Sequence, residues 1–388
     1  MVSISGFLNE RFIAKQIDAL VDETESRLLT RKHLIDKYFP TRTFETRNFM
    51  GLLTRKVVPA AMIVGYGAEI PVQSFGSAEK MAAQLCKLAA SRMYDEIQQW
   101  EMQEAYKLGG YMYNKIQTIH RPDGGTERGA NNDLALALFG DIKDLLDGIV
   151  DRMDAMKWQV VQTGAVDVKD NKTGAIVTLD FKKEDATYNH FPVPLIATGN
   201  TVTPNLNKWS DATNAQGLQN LADLVDLYDD TNGFIPDEIV MHRKLWRKFL
   251  DQKSTRDAAR AMTVTEIGLV SDDLGQKLLE KRDLPKVSLF GEKYQEQLPN
   301  GDIVDTNFLN TNRIVFLKQD MGISAIGPTI ESSTNVIGSG KDVPEPKSGI
   351  YLTTYQETKM PVRDVSTAVA TFLPIVMNPK LLMSQVVD

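Results

Sequence analysis

The chain has 388 residues, of which 42% are hydrophobic and 24% are charged. These fractions are ordinary for a folded globular protein and argue against long disorder, and the length allows one large or two moderate domains. No apolar run approaches the roughly 20 residues of a membrane-spanning helix, and the first residues lack the basic and apolar regions of a secretory signal. We therefore expect a protein that is made and assembled in a cytoplasm, without a membrane partner.

The charge pattern argues against a protein that grips nucleic acid. The formal net charge is −7 at pH 7, and Lys and Arg are spread through the chain, whereas a nucleic-acid-binding protein usually carries a basic face. Mild acidity suits a surface that tolerates DNA nearby without binding it. The single cysteine, Cys86, precludes an intrachain disulfide. It lies in the apolar stretch MAAQLCKLAA and is expected to be a buried thiol.

Motifs for catalysis, metals or cofactors do not emerge from the sequence. The histidines lie far apart and lack the close pairing of a zinc site; they are His33, His120, His190 and His242. Residues 338–342 lack the first glycine and the magnesium-binding hydroxyl of a phosphate loop. The acidic run at 226–233 is better explained by a helix end with a glycine stop than by a calcium loop. We expect no cofactor, no metal and no enzymatic activity.

The N-terminal third predicts an amphipathic helix and then an extended arm. Apolar residues recur at helical spacing within 9–38. Residues 57–77 start with β-branched side chains and continue with Gly, Pro and Ser, which is typical of a strand that runs out to a tip. The returning segment, from about Lys80 to Tyr94, fits a strand or a helix. Because a two-stranded arm is marginal in isolation, we expect it to lie on a neighbouring subunit.

The longest predicted helix covers about 132–162. Its apolar residues recur at three- and four-residue steps, polar residues at 131–133 supply N-cap chemistry, and Gly164 follows as a stop. Its length of roughly 45 Å is well above the usual value, which favours a scaffold role. Residues 165–169 and 175–181, on either side of a turn-rich segment, predict a β-hairpin.

A proline-bearing linker at 192–204 then leads into an αβ region. Periodicity and turn residues predict its elements. The predicted helices are 216–228, 244–252 and 272–281, and the predicted strands are 238–241, 286–290 and 313–317. Beyond Pro328 the chain is polar and loop-like as far as Gly349. Extended segments are predicted at 350–357 and 367–376.

The order of these elements resembles the tailed-phage capsid fold, which herpesviruses share, and within it the phage lambda-type major capsid protein (protein E) family. Four segments carry the resemblance: a helix end with its hairpin, a strand-to-helix step, the strand closing the αβ region, and a terminal strand with a proline-ended exit. They are WQVVQTG (158–164) with the hairpin 166–181, IVMHRKLWRKF (239–249), FLNTNRIVF (308–316) and FLPIVMNP (372–379). The first third matches only in architecture.

The resemblance implies an α+β tailed-phage major capsid fold with the divisions of that family. These are an N-arm (1–55), an E-loop or extended β-arm (56–100), a P-domain with spine helix and hairpin (101–205), an A-domain (206–325), and a return to the P-domain with C-terminal strands (326–388).

The function that the resemblance implies is that of a major capsid protein. Such subunits form the pentamers and hexamers of an icosahedral shell around double-stranded DNA, so that the functional site is the set of contacts between copies. At the E-loop tip, Ile70, Val72 and Phe75 have little local core to enter and are the candidate assembly contacts. Implied partners are the portal protein and, since the arm starts at Met1, a separate scaffolding protein. A decoration protein is a further candidate, and packaged DNA is contacted without sequence-specific binding.

Two other interpretations remain open from the residues. A cellular nanocompartment (encapsulin-like) shell is built on the same fold and would need an interior groove for cargo tails. A cytoplasmic two-domain enzyme would be a small soluble oligomer, whereas a shell protein sediments as megadalton particles. Neighbouring portal and terminase genes would favour the phage protein, and a neighbouring cargo enzyme would favour the nanocompartment.

We predict that assembled particles, boiled in SDS with reductant, run as a single band near the monomer mass of 43.3 kDa. The reason is that one cysteine and the absence of a recognisable Lys–Asn cross-linking motif leave no covalent link between copies. Denaturing electrophoresis with anti-capsid blotting is the measurement. A ladder of multimers that resists boiling would contradict the prediction.

Overall fold

The computed structural model describes residues 34–46, 48–53, 79–94, 129–169, 176–181, 208–263, 269–297, 302–329, 349–357 and 363–388. These residues form a mixed helix-and-sheet structure around one long helix, a five-stranded sheet and a four-stranded sheet. The sequence predictions for 9–33, 57–77, 182–207 and 330–348 lie outside the described residues.

The described helices and strands are numbered here in chain order. The helices are α1 (Gly129–Thr163), α2 (Gly217–Asn232), α3 (Arg243–Leu250), α4 (Lys253–Thr263) and α5 (Asp272–Glu280). The strands are β1 (Thr41–Thr43), β2 (Asn48–Leu53), β3 (Glu79–Gln84), β4 (Cys86–Tyr94), β5 (Ala165–Lys169), β6 (Ile176–Asp180), β7 (Glu238–His242), β8 (Lys286–Phe290), β9 (Lys293–Gln297), β10 (Ile303–Asn307), β11 (Arg313–Leu317), β12 (Gly322–Gly327), β13 (Ile350–Glu357), β14 (Arg363–Val376) and β15 (Met383–Val386).

The five-stranded sheet is organised by β14, which is paired along both edges. One edge pairs antiparallel with β4, from Asp364 to Phe372. The other edge pairs antiparallel with β13 and then with β12, and β1 adds to β12 in parallel. The sheet therefore unites strands from within residues 41–94 with strands from within residues 322–376. The segment from Lys80 to Tyr94, whose sequence fits a strand or a helix, forms a strand on each side of Leu85.

The helix α1 packs on this sheet and confirms the predicted long amphipathic helix. Leu146, Ile149 and Met153 of its stripe are buried, and at 35 residues it is about 52 Å long. Gly164 ends it with φ +71° and donates its N–H to the Val160 carbonyl at 2.7 Å. The predicted N-cap is wrong, because the helix already begins at Gly129. Residues 131–133 therefore lie inside the helix and not at its N-cap.

The hairpin after α1 is confirmed as β5 and β6, with Ala165 opposite Asp180 and Lys169 opposite Ile176. The αβ region contains the sheet β15–β11–β7–β8, and its predicted helices and strands are confirmed as α2, α3, α5, β7, β8 and β11. The helix α2 runs to Asn232, and Gly233 follows in a left-handed conformation as the expected stop. The sequence patterns did not predict α4, the β9–β10 hairpin, β12 or β15.

Aromatic side chains fill the space between the helices of the αβ region. Trp246 stacks on Phe249 at 5.1 Å between ring centroids, and Phe249 contacts Trp209 at 5.3 Å. The Trp246 indole N–H donates to the Asp272 carboxylate at 2.9 Å, so its one polar atom is satisfied. A Cβ on Gly275 would lie 2.8 Å from the Trp246 ring, so α5 approaches α3 closely only because that position has no side chain.

We predict that Ile149→Asp prevents assembly and leaves insoluble protein. Ile149 is 2% exposed in the interface between α1 and the sheet, and burial of an unpaired carboxylate costs several kcal/mol, comparable with the stability of a domain. Lys143→Asp, at an exposed position of the same helix, is the control and should change stability by less than about 0.5 kcal/mol. Solubility and sedimentation of the two variants are the measurements, and normal particles from Ile149→Asp would contradict the prediction.

Candidate assembly surfaces

Next to the predicted arm the structure has the antiparallel pair β2 and β3, of which β3 lies within the predicted arm (56–100) and β2 within the predicted N-arm (1–55). Asn48 lies opposite Gln84 at its base and Leu53 opposite Glu79 at the end where residues 54–78 join the two strands. Within the described residues these strands pair only with each other. A two-stranded ribbon is marginal without further contacts. Among the described residues the pair therefore forms a ribbon separate from the five-stranded sheet, which β3 joins through Leu85 and β4.

The base of the arm is fixed by Leu85, which lies between β3 and β4. Leu85 is 2% exposed, and a Cβ on Gly327 would come within 2.4 Å of its side chain. Because β4 continues directly into the sheet beside β14, the direction of the arm is set by a rigid element. The predicted contact residues at its tip, Ile70, Val72 and Phe75, lie outside the described residues.

Residues 34–46, called here the N-terminal clasp, pack against the five-stranded sheet and add β1 to its edge. Tyr38 and Phe39 are fully buried, and the carbonyl of Pro40 accepts a hydrogen bond from the Ser324 N–H at 3.0 Å. The Ser324 hydroxyl donates to the Phe39 carbonyl at 3.0 Å. A Cβ on Gly322 would lie 2.3 Å from the Phe39 ring, so the clasp fits only against glycine there. The clasp is part of the subunit core.

The clasp also reaches the four-stranded sheet through Tyr38. Its hydroxyl donates to the Glu238 carboxylate at 2.8 Å, and the same carboxylate accepts a hydrogen bond from the Ser288 hydroxyl. Burial, followed by the hydrogen bond to Glu238, raises the pKa of Tyr38 well above its ordinary value. The phenol therefore stays protonated and keeps donating, which ties the two sheets together through one side chain.

A second polar junction joins the end of α1 to the αβ region. The Gln162 amide donates to the Phe308 carbonyl at 2.7 Å, and its side-chain oxygen accepts from the Asn310 N–H at 2.8 Å. The Gln162 backbone carbonyl accepts from the Ser384 hydroxyl at 2.6 Å and from the Arg313 guanidinium. Since Gln162 is 8% exposed, these bonds satisfy groups that would otherwise be buried without partners.

Beside this junction is an open groove of about 540 Å3 between α1, the β9–β10 hairpin and the loop before β11. Its charged lining is partly paired: Arg152 lies 3.3 Å from Glu296, and the Gln159 amide donates to the Asp167 carboxylate at 3.2 Å. Tyr294 and Glu296 also lie in this lining, where burial, followed by the charge of Glu296, raises the pKa of the Tyr294 phenol above its ordinary value.

The β9–β10 hairpin beside the groove carries exposed apolar side chains. Ile303 and Val304 are 66% and 43% exposed. The hairpin pairs only within itself among the described residues. Exposed apolar side chains on a marginal ribbon suit contact with another chain. Sequence periodicity missed the hairpin because neither KYQEQ nor IVDTN alternates apolar and polar residues.

Cys86 and His242 are two described residues that the sequence analysis considered as a nucleophile and as a metal ligand. Burial raises the pKa of the half-buried Cys86 thiol, which disfavours the nucleophilic thiolate. His242 caps the N-terminus of α3, where its Nδ1 accepts from the Lys244 N–H at 3.1 Å.

Among the described residues no group of three or more His, Cys, Asp or Glu side chains is placed to hold a metal ion. None of the helices in the described ranges is long and apolar enough to cross a membrane.

Solved structures similar to this chain include several phage proteins. A prophage capsid protein from Escherichia coli CFT073 superposes with a TM-score of 0.56 and 14% identity, over 96% of this chain and 98% of that chain. The satellite phage P4 procapsid including its size determination (Sid) protein gives 0.44 and 10% over 97% and 91%. The virus-like particle from Pyrococcus furiosus gives 0.40 and 8% over 98% and 100%. No protein-family model and no curated protein sequence matches the chain.

The superposition on the prophage capsid protein spans nearly the whole of both chains and defines the fold. The chain has the α+β tailed-phage major capsid fold, as the order of its elements predicted. At 14% identity the likeness to the prophage capsid protein establishes the fold. Since no family model matches, membership of the lambda-type (protein E) family stays a prediction.

We predict a pH-dependent loss of stability that His242→Asn removes. Burial, followed by the nearby charges of Lys244, Arg243 and Lys293, lowers the pKa of His242 below its ordinary value of 6.5. A depressed folded-state pKa means that the cap contributes fully above pH 6.5 and is lost as pH falls through the folded-state value. Asn is a preferred N-cap acceptor that does not titrate.

The measurement is chemical denaturation of both proteins at about pH 7.5 and about pH 5.5, where histidine changes charge. Wild type should lose about 1 kcal/mol more than His242→Asn between the two values, which is the size of one N-cap. Carboxylates titrate equally in both proteins and cancel in the comparison. Equal losses would mean that the cap does not depend on a neutral imidazole.

Proposed function

We propose that the chain is the major capsid protein of a tailed bacteriophage. In this proposal it self-assembles into the pentamers and hexamers of an icosahedral shell that encloses double-stranded DNA in the virion. The observation that carries the proposal is the near-complete superposition on a prophage capsid protein, with a TM-score of 0.56 over 96% of this chain. The chain has no enzymatic activity in this role.

The arm supports this role because a projecting ribbon needs a surface outside its own subunit. The pair β2 and β3 is held at its base by Leu85, and a two-stranded ribbon with little core gains stability by packing on another molecule. Contacts of this kind between non-equivalent surfaces generate closed rings and shells when the rotation closes. Ile70, Val72 and Phe75 of the tip segment are the proposed contact residues on the neighbouring copy.

The surface charge is consistent with enclosure of DNA rather than tight binding to it. A net charge of −7 gives no overall attraction to phosphates, so packaged DNA lies beside the shell without sequence-specific contact. Self-association forms the shell, a portal protein occupies one vertex, and a separate scaffolding protein directs curvature during assembly in the host cytoplasm. A decoration protein on the outer surface is a further proposed partner.

The experiment that tests the proposal is expression of the full chain followed by sedimentation and negative-stain electron microscopy. Closed icosahedral particles are the expected result, and a small soluble oligomer would contradict a shell protein. Particles produced together with the neighbouring genes distinguish the two kinds of shell. DNA inside the particles supports a phage capsid. An enzyme inside the particles that carries a cargo tail identifies a nanocompartment.

We predict that replacing residues 66–77 by a short Gly-Ser turn leaves a soluble, cooperatively melting protein that forms capsomers at most. A narrower variant tests the named contacts: Ile70→Ala, Val72→Ala and Phe75→Ala together should have the same effect. Burial of one such side chain is worth roughly 1.5–3 kcal/mol, and the loss recurs at every subunit of a shell.

The matched control is the combination Gln73→Ala, Ser74→Ala and Ser77→Ala, which truncates polar neighbours in the same segment and should still give shells. Circular dichroism reports the fold, and sedimentation with electron microscopy reports assembly. Normal shells from the apolar triple variant would remove these residues from the assembly contact. Outright unfolding of the shortened protein would place 66–77 in the core of its own subunit.

A further inference from the structure

A buried ionic cluster links the N-terminal clasp to α1. The Lys157 ammonium lies 2.6 Å from Asp36 Oδ1 and 2.9 Å from Asp154 Oδ1. The exposed fractions of the three side chains are 2% for Lys157, 8% for Asp36 and 5% for Asp154. Asp36 and Lys157 are 121 positions apart in the chain, so the cluster exists only once the clasp is seated on the helix.

One atom of the cluster is left without a partner. Asp36 Oδ2 is buried and makes no hydrogen bond, although its sister oxygen contacts Lys157. Lys157 also lies over the Phe372 ring, 5.9 Å from its centroid, and the fully buried Phe39 belongs to the same clasp as Asp36. An ion pair in such a dry site loses hydration that its mutual attraction only partly replaces. An unsatisfied carboxylate oxygen adds to that cost.

We propose that Lys157 and Asp36 condense to an intramolecular isopeptide bond, with Asp154 as the proton relay. The reacting groups are in hydrogen-bonding contact and are held there by two packed elements, which converts a slow bimolecular condensation into an intramolecular one. The low-dielectric surroundings favour the product, because the condensation replaces the charges of Lys157 and Asp36 with a neutral amide. One buried charge then remains where there were three.

The step balances without an oxidant or co-reactant. Asp154 takes one proton from the Lys157 ammonium, and the resulting neutral amine attacks Asp36 Cγ. A C–N bond forms, and one C–O bond of the Asp36 carboxyl breaks. Asp154 passes the first proton and then a second one from the attacking nitrogen to the departing oxygen, which leaves as water. The products are one amide, which keeps a single N–H, and one water molecule.

The bond would fasten the clasp to α1 within a single subunit. A link between Asp36 and Lys157 closes a long loop, and cross-links that close long loops restrict the unfolded chain most. The clasp could then not peel away from the sheet while the subunit is under load. The linkage joins no two copies, so it does not alter the single monomer band expected in SDS.

Intact-mass spectrometry of the purified, denatured full-length protein is the test. Wild type is expected to be lighter than its sequence by one water molecule. Trypsin cannot cleave after an acylated lysine, so residues 33–37 should appear joined to residues 153–169 in a branched peptide. Wild type at the full sequence mass, with separate tryptic peptides, overturns the proposal and leaves an ion pair only.

Three variants separate the bond from the fold. Lys157→Arg keeps the positive charge but cannot condense, and it should have the full sequence mass while remaining folded by circular dichroism. Asp154→Asn keeps an oxygen acceptor but removes the proton relay, and it should accumulate the unbonded chain. Lys37→Arg changes the neighbouring, exposed lysine and should still lose one water. Water loss that persists in Lys157→Arg would place the modification elsewhere and refute this assignment.

Discussion

The pairing of β14 along both edges is the constraint on which the rest of the subunit depends. Thr371 and Phe372 pair with β12 on one side and with β4 on the other. At these residues β14 therefore has a strand partner along both edges. The arm leaves from β4, the clasp adds through β1 to β12, and α1 packs on the same sheet. Because β14 lies near the end of the chain, these long-range pairings form only after most of the chain is available, which makes folding slow.

The sequence predicted elements that have a clear local periodicity and missed elements that lack one. The stripe of α1 and the β5–β6 hairpin repeat within a few residues and were visible in the pattern. The strand β12, GISAIG, is buried on both faces and bounded by glycines, so it shows neither alternation nor strong β-propensity. Its strand character comes from pairing with β14 and β1, which no short window contains. The predicted N-cap of α1 is wrong because the sequence specifies helix boundaries only weakly.

The sequence predicted an extended ribbon near this part of the chain, and the assembly contacts at its tip stay a prediction. A β-branched segment followed by Gly, Pro and Ser indicated an arm, and the pair β2 and β3 frames the segment 54–78 that contains the predicted tip. The first strand of this pair, β2, ends at Leu53, whereas the sequence predicted that the first strand of the arm starts at 57. The cluster of Asp36, Asp154 and Lys157 could not be anticipated, because each residue alone is typical of a solvated helix or turn. Only the fold brings residues 121 positions apart into contact.

The last turns of α1 explain how one helix can orient three parts of the subunit. Lys157 and Gln162 are five positions apart, which places their side chains about 140° apart around the helix. Lys157 therefore meets the clasp while Gln162 meets the loop before β11 and the strand β15. An apolar stripe alone would allow these parts to slide, because hydrophobic contact is non-directional. Buried hydrogen bonds are satisfied in one arrangement only, and so the two polar contacts set the register of the clasp and of the αβ region. The direction in which the arm leaves the subunit follows from the sheet that they hold in place.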